Sequence, residues 1–259
     1  MPDVTTRPVA KTFVVEIEGI DLATQKDDKT IEYVMSQVNE HGVVVLHNQH
    51  LSAQDIAEIG RKMGKIEKHL FNQYVHEEVD EVSYVTNRTR EGEIDEFGVT
   101  RASLWHVDEP YKENLPKFTM LHALEVPSVK GGTEFADAQG AYDALPEEMK
   151  ERLKGLDSVF KVRQGFESEH PAVAIHPVTG RPGIFISPQH QVGFTGMVDE
   201  GGMELMNELL AHATQEQFTY YHHWKVGDVV IWDDIGTLHR NPADSDPKER
   251  RVFLRTIVH

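Results

Sequence analysis

The sequence predicts a mainly β protein with helices packed on it, and three observations carry that prediction. From Glu81 onward, short segments rich in β-branched and aromatic residues are bounded by turn formers, the pattern of an antiparallel barrel or sandwich. The first third alternates strand and helix signals. No internal repeat or low-complexity linker divides residues 1–259, so a single domain is expected.

Residues 13–17 alternate as a strand, residues 28–41 carry apolar side chains at helical intervals, and residues 42–46 read as a buried strand. Residues 52–63 form an amphipathic helix with Ser52 as N-cap, Asp55 in a capping-box position and Gly64 at its end. Strand signals follow at 82–86, 118–125, 183–187, 218–221, 228–232 and 252–258, interrupted by helices around 146–155 and 202–214. The stretch 77–101 is crowded with charge and turn formers. It reads as a surface loop, or as a lid over a site.

The chain has 259 residues and no cysteine, which excludes disulfides, thiolate metal sites and a cysteine nucleophile. Any metal must therefore use His and carboxylate. No apolar run has signal-peptide length at the N-terminus or approaches the ~20 residues of a membrane span, so a cytoplasmic protein is expected. The net charge of −17 argues against nucleic acid as a partner. A small-molecule substrate is expected, and a homo-oligomer stays open.

His106-Val107-Asp108 places an imidazole and a carboxylate two residues apart, on one side of an extended segment. With His239 from far along the chain they would make a two-His, one-carboxylate set that leaves adjacent metal positions open, as Fe(II) chemistry with O2 requires. Fifteen histidines and 43 acidic residues generate such pairs by chance, so the motif needs company. Arg250 and Arg251 precede a strand on which Arg251, Phe253 and Arg255 share a face, and a guanidinium there can clasp a carboxylate. Gly131-Gly132-Thr133 supplies a sharp turn and a hydroxyl that can donate to a carboxylate oxygen.

Together these pieces resemble the taurine dioxygenase and 2,4-dichlorophenoxyacetate dioxygenase family of Fe(II)/2-oxoglutarate-dependent oxygenases. The resemblance runs through Ser103 to Asp108, Gly131 to Leu145, His212 to Thr214, Trp224 to Arg240 and Arg251 to Thr256. It implies a double-stranded β-helix, or jelly roll, with packing helices. It also implies Fe(II) on His106, Asp108 and His239, and 2-oxoglutarate on Arg251 with help from Thr133, while a count of 11 residues from His239 selects Arg250 instead.

Arg255 and His69 match residues that hold an anionic head group in the taurine enzyme, implying a small anionic substrate such as an aryloxyalkanoate, a sulfonate or an amino-acid-like molecule. The implied reaction consumes O2, releases succinate and CO2, and hydroxylates an unactivated carbon. Desaturation by the same centre, a non-catalytic jelly-roll binding protein and a zinc hydrolase are the competing readings. Asp108 argues against halogenation, which needs that ligand replaced. The chain departs from the family at Ala102, where Asn is common four residues before the first histidine. His122 is expected to pack within a strand. His176 and His190 flank an expected hairpin, Trp105 and Trp232 should pack beside the metal, and Phe71, Tyr74, Tyr111 and Phe160 are candidate pocket walls.

Overall fold

A computed structural model describes residues 4–9, 13–163 and 165–259. Its largest sheet has seven strands in the order Thr5–Pro8, Val14–Glu18, Val43–Leu46, Val229–Asp233, Phe118–Glu125, Val252–Val258 and Ser83–Thr86. All neighbours are antiparallel except Val14–Glu18 and Val43–Leu46. A parallel pair needs a long crossover, and the Asp28–His41 helix supplies it.

Both faces of this sheet are covered, which explains its continuous apolar strands. Val44, Leu46, Val229 and Ile231 face the helices Asp28–His41 and Ala53–Met63, packing on Ile31, Val34, Val38, Ile56 and Ile59. Their alternates Val43, Val45, Val230 and Trp232 face the other way, joining Leu121, Phe135, Trp224 and Phe253 in a core between sheets. The opposing layer includes a three-stranded sheet in which Thr133–Asp137 lies between Thr219–His222 and Thr237–Arg240. A further three-stranded sheet, Gln191–Phe194, Asp157–Lys161 and Glu167–Pro171, and the pair Val173–Ile175 and Pro182–Ile184 complete the strands. The helices Ala138–Asp143 and Glu200–Ala213 close a second core around Phe160, Phe185 and Phe194.

The N-terminal expectations hold closely. The helix Asp28–His41 ends at Gly42, whose φ of 87° suits glycine, and Ser52 and Asp55 form a reciprocal capping box on Ala53–Met63. Three readings need correction. Gly131 and Gly132 do turn, but Thr133–Asp137 continues as a central strand. The strand expected at 183–187 stops at Ile184. The stretch 77–101 is a structured excursion: beyond the expected strand, Ser83–Thr86, it holds the short helix Glu96–Thr100 and a bridge between Arg88 and Ile94. Among the described residues no helix is long and apolar enough to cross a membrane.

Candidate metal centre and its cavities

His106 and His239 are drawn together by a backbone bridge on the edge strand Thr237–Arg240. His106 N–H donates to His239 O at 3.0 Å, and His239 N–H donates to His106 O at 2.9 Å. The two rings stand 4.2 Å apart, and one ligand atom each from His106, Asp108 and His239 lie within 4.8 Å of one another, all three residues buried. Leu104 O accepts from His106 Nδ1 at 2.8 Å, which fixes the tautomer and leaves Nε2 with a lone pair. His239 Nε2 lies 3.8 Å from Asp108 Oδ2, while its buried Nδ1 has no hydrogen-bond partner among the described residues.

These donors fit a divalent metal. Burial pushes the pKa of His106 down and that of His239 down to about 3, so both imidazoles are neutral near pH 7. Burial pushes the Asp108 carboxyl up, but the Arg255 guanidinium, helped by the hydrogen bond from Thr119, opposes it, and the carboxyl stays below its usual range. Two neutral imidazoles and a carboxylate are the protonation states that metal binding needs.

Behind Asp108 lies a second carboxyl that the sequence reading passed over. Thr119 Oγ1 is 2.9 Å from Asp108 Oδ2 and 2.7 Å from Asp234 Oδ2. One hydroxyl proton cannot serve two carboxylates at once. Burial and the adjacent Asp108 charge push the Asp234 pKa well up, which favours a protonated Asp234 and leaves the Thr119 proton for Asp108. Trp232 Nε1 donates to Asp234 Oδ1 at 3.0 Å, and the Trp232 ring packs 4.7 Å from His239. Trp105 packs instead under the Arg240 guanidinium at 4.9 Å.

A narrow cavity of about 50 Å³ runs from His106, Asp108 and His239 past Leu121 and Trp232 to Thr133 and Arg251. Arg251 is buried, and no carboxylate lies within ion-pair distance of it among the described residues. Its Nε donates to Gly131 O at 2.9 Å and its Nη2 lies 3.4 Å from Thr133 Oγ1, which also receives Trp224 Nε1 at 3.0 Å. Gly132 lets the Tyr221 ring pack against this turn, since a Cβ there would fall 2.3 Å from that ring. Arg250 is exposed and pairs with Glu125 at 2.8 Å. Of the two arginines only Arg251 reaches the cavity.

A second cavity of about 250 Å³ opens onto His106 and Asp108 between Phe71, Phe97, Tyr111, His190, Arg101 and Arg255. His69 lines it too, half-buried, while neighbouring Lys62, Lys65 and Lys68 pair with surface acids. Phe71 N–H donates to His69 Nδ1 at 3.2 Å, and burial with Arg255 and Arg101 pushes the His69 pKa down to about 3. His69 is therefore neutral near pH 7. Arg255 Nη1 lies 3.5 Å from Asp108 Oδ1.

The remaining expectations divide. His190 lies in the wall, edge-on to Tyr111 at 5.4 Å, whereas His176 is tied to Asp233 at 3.1 Å away from both cavities. His122 packs in its strand and accepts from Leu51 N–H. Tyr74 supports Arg101, and Phe160 is fully buried in the second core. Arg101 was missed because it closes a stretch that reads as surface loop.

A strand-dominated fold with a His–Asp–His centre at the sheet interface defines a jelly-roll oxygenase of the non-haem iron class. The profile described as "Taurine catabolism dioxygenase TauD, TfdA family" matches residues 5–257, and the chain belongs to that family. The alpha-ketoglutarate-dependent 2,4-dichlorophenoxyacetate dioxygenase of Cupriavidus pinatubonensis is 30% identical over 98% of this chain and 97% of its own length. The pentalenolactone F synthase of Streptomyces arenae is 29% identical over 98% of this chain and 94% of its own. A solved structure of AAD-2 in complex with Mn(II) and N-oxalylglycine superposes with a TM-score of 0.88 at 26% identity, covering 98% of this chain and 96% of that one. The protein is an Fe(II)- and 2-oxoglutarate-dependent dioxygenase acting on a small molecule with O2 as cosubstrate.

Proposed function

We propose that this enzyme hydroxylates an unactivated carbon of a small organic anion, with His106, Asp108 and His239 holding Fe(II). Arg251 receives the distal carboxylate of 2-oxoglutarate, assisted by Thr133, and Arg255 and His69 receive the substrate's head group. The observation that carries this reading is the placement of an acid-free buried guanidinium, Arg251, in the same cavity as three convergent metal donors. A zinc hydrolase has no use for that guanidinium, and a mere binding protein has no use for the three donors. Residues 1–259 are read as one catalytic domain, working in the cytoplasm.

Fe(II) held by these residues would supply activation of O2, one oxygen atom going to the succinate formed as 2-oxoglutarate loses CO2 and the other to the substrate carbon. The protein's own residues position the partners. Leu104 O orients His106, Thr119 orients Asp108, and the Phe71, Phe97 and Tyr111 walls shield the reacting carbon from water. Anaerobic addition of Fe(II) and 2-oxoglutarate should produce the visible charge-transfer band of the chelate. Its absence from the wild-type protein would sink the assignment.

A further inference from the structure

Arg101 follows the Glu96–Thr100 helix and borders both cavities. Its Nη2 donates to Tyr84 O at 3.2 Å, and its guanidinium lies over the Tyr74 ring at 4.0 Å, held there because Tyr74 OH donates to Asp95. Among the described residues no carboxylate lies within ion-pair distance of Arg101, and Arg255 reaches only the metal ligand Asp108. Two guanidinia sharing one small, largely apolar space repel each other until an anion enters.

Among the described residues the same cavity offers no free carboxylate to a substrate cation, and the unpartnered buried acceptor in its lining is the uncharged Gln189 Oε1. Its acids are Asp108 and Glu109. Glu109 is taken by Lys112 at 2.8 Å, and Asp108 is committed to the metal. An ammonium group on the substrate would be stripped of water with no carboxylate to receive it. Phe71, Phe97, Tyr111 and Leu70 instead offer apolar surface.

We propose that Arg101 is a second anion-binding residue of the substrate cavity, which makes the enzyme selective for organic anions without an ammonium group, their head group between Arg101 and Arg255. The proposal rests on the functional reading above and narrows it, setting zwitterionic amino-acid-like substrates aside.

The test uses the full chain with Fe(II) and 2-oxoglutarate under nitrogen, following the shift of the visible band as hexanesulfonate, hexyl sulfate or phenoxyacetate is added. At least one of these should bind, and hexanesulfonate should bind at least about 10-fold more tightly than 6-aminohexanesulfonate. Arg101→Gln should weaken the bound anion by about 10- to 100-fold, with a smaller effect on 2-oxoglutarate, and Arg101→Lys should restore part of the loss. A band that forms but responds to none of the three anions overturns this inference alone, whereas no band overturns the functional reading itself. Equal binding of the aminated sulfonate, or an Arg101→Gln defect that falls chiefly on 2-oxoglutarate, also overturns it. The wild-type comparison stands even if the Gln variant fails to fold.

Discussion

Two His–Asp–His constellations lie in this molecule, one wholly buried and the other buried except for the partly exposed His47, and they do opposite work. In one, His106 and His239 face Asp108 with a nearest His–Asp separation of 3.8 Å, and the carboxylate is held by Thr119 and Arg255. In the other, Asp228 bonds His47 Nδ1 directly at 2.6 Å and His222 Nε2 at 3.1 Å, and also accepts from Lys225 N–H at 2.9 Å. The second set spends its lone pairs on itself and staples three strands. The first keeps donor atoms pointed at a common centre. Whether a buried His–carboxylate cluster is a site or a staple is decided by where its lone pairs go, which residue type does not reveal.

The largest separation between the clusters should come from removing each carboxylate. Asp108→Ala should abolish substrate-coupled succinate formation while leaving a folded protein, and unchanged coupled turnover would refute the metal assignment. Asp228→Ala should instead destabilise the fold by about 1–3 kcal/mol, the usual cost of leaving hydrogen-bonding groups unpaired, as read from urea denaturation. If it lost activity with no change in urea midpoint, the staple would be a second functional site.

Arg251→Ala should raise the half-saturating 2-oxoglutarate concentration by about 10- to 100-fold, and the same effect from Arg250→Ala would move the anchor one residue. Thr119→Val removes the hydroxyl that orients Asp108 and should weaken Fe(II) binding by about 10-fold or more, measured by competition with a chelator. Retained affinity would leave Thr119 a packing residue.

How much of this was legible depends on how local each signal is. The capping box at Ser52 and Asp55 and the alternation of Val43 to Leu46 are local, and both were readable. The strand Glu167–Pro171 was not, because its mostly exposed side chains follow no apolar alternation. His106 and Asp108 announce themselves by spacing, while Arg251 and Arg250 look equivalent until burial separates them. Arg101 is invisible in its charged stretch because its setting comes from Tyr74 and Tyr84, far enough along the chain that only the fold joins them. His47 meets Asp228 across 181 residues, and no local pattern marks either.

The smallest effect concerns pH and belongs to the staple. Its bond to Asp228, and secondarily to Glu16, raises the pKa of His47 above 6.5 despite opposing burial. Every other histidine with a resolved shift, His69, His106, His122, His190, His222 and His239, is pushed down, mainly by burial. Those six favour unfolding as pH falls below 6.5, when the unfolded chain takes up protons that the fold refuses. His47 acts in the other direction: its stabilisation is complete below pH 6.5 and fades as pH rises through its folded-state pKa. Above 6.5 it is therefore the histidine among these that gives stability a downward slope. Urea midpoints of the metal-free protein should fall from pH 6.5 to 8.5, and His47→Gln should flatten that fall. Parallel profiles for the two proteins would show that Asp228 holds His47 without favouring its charge.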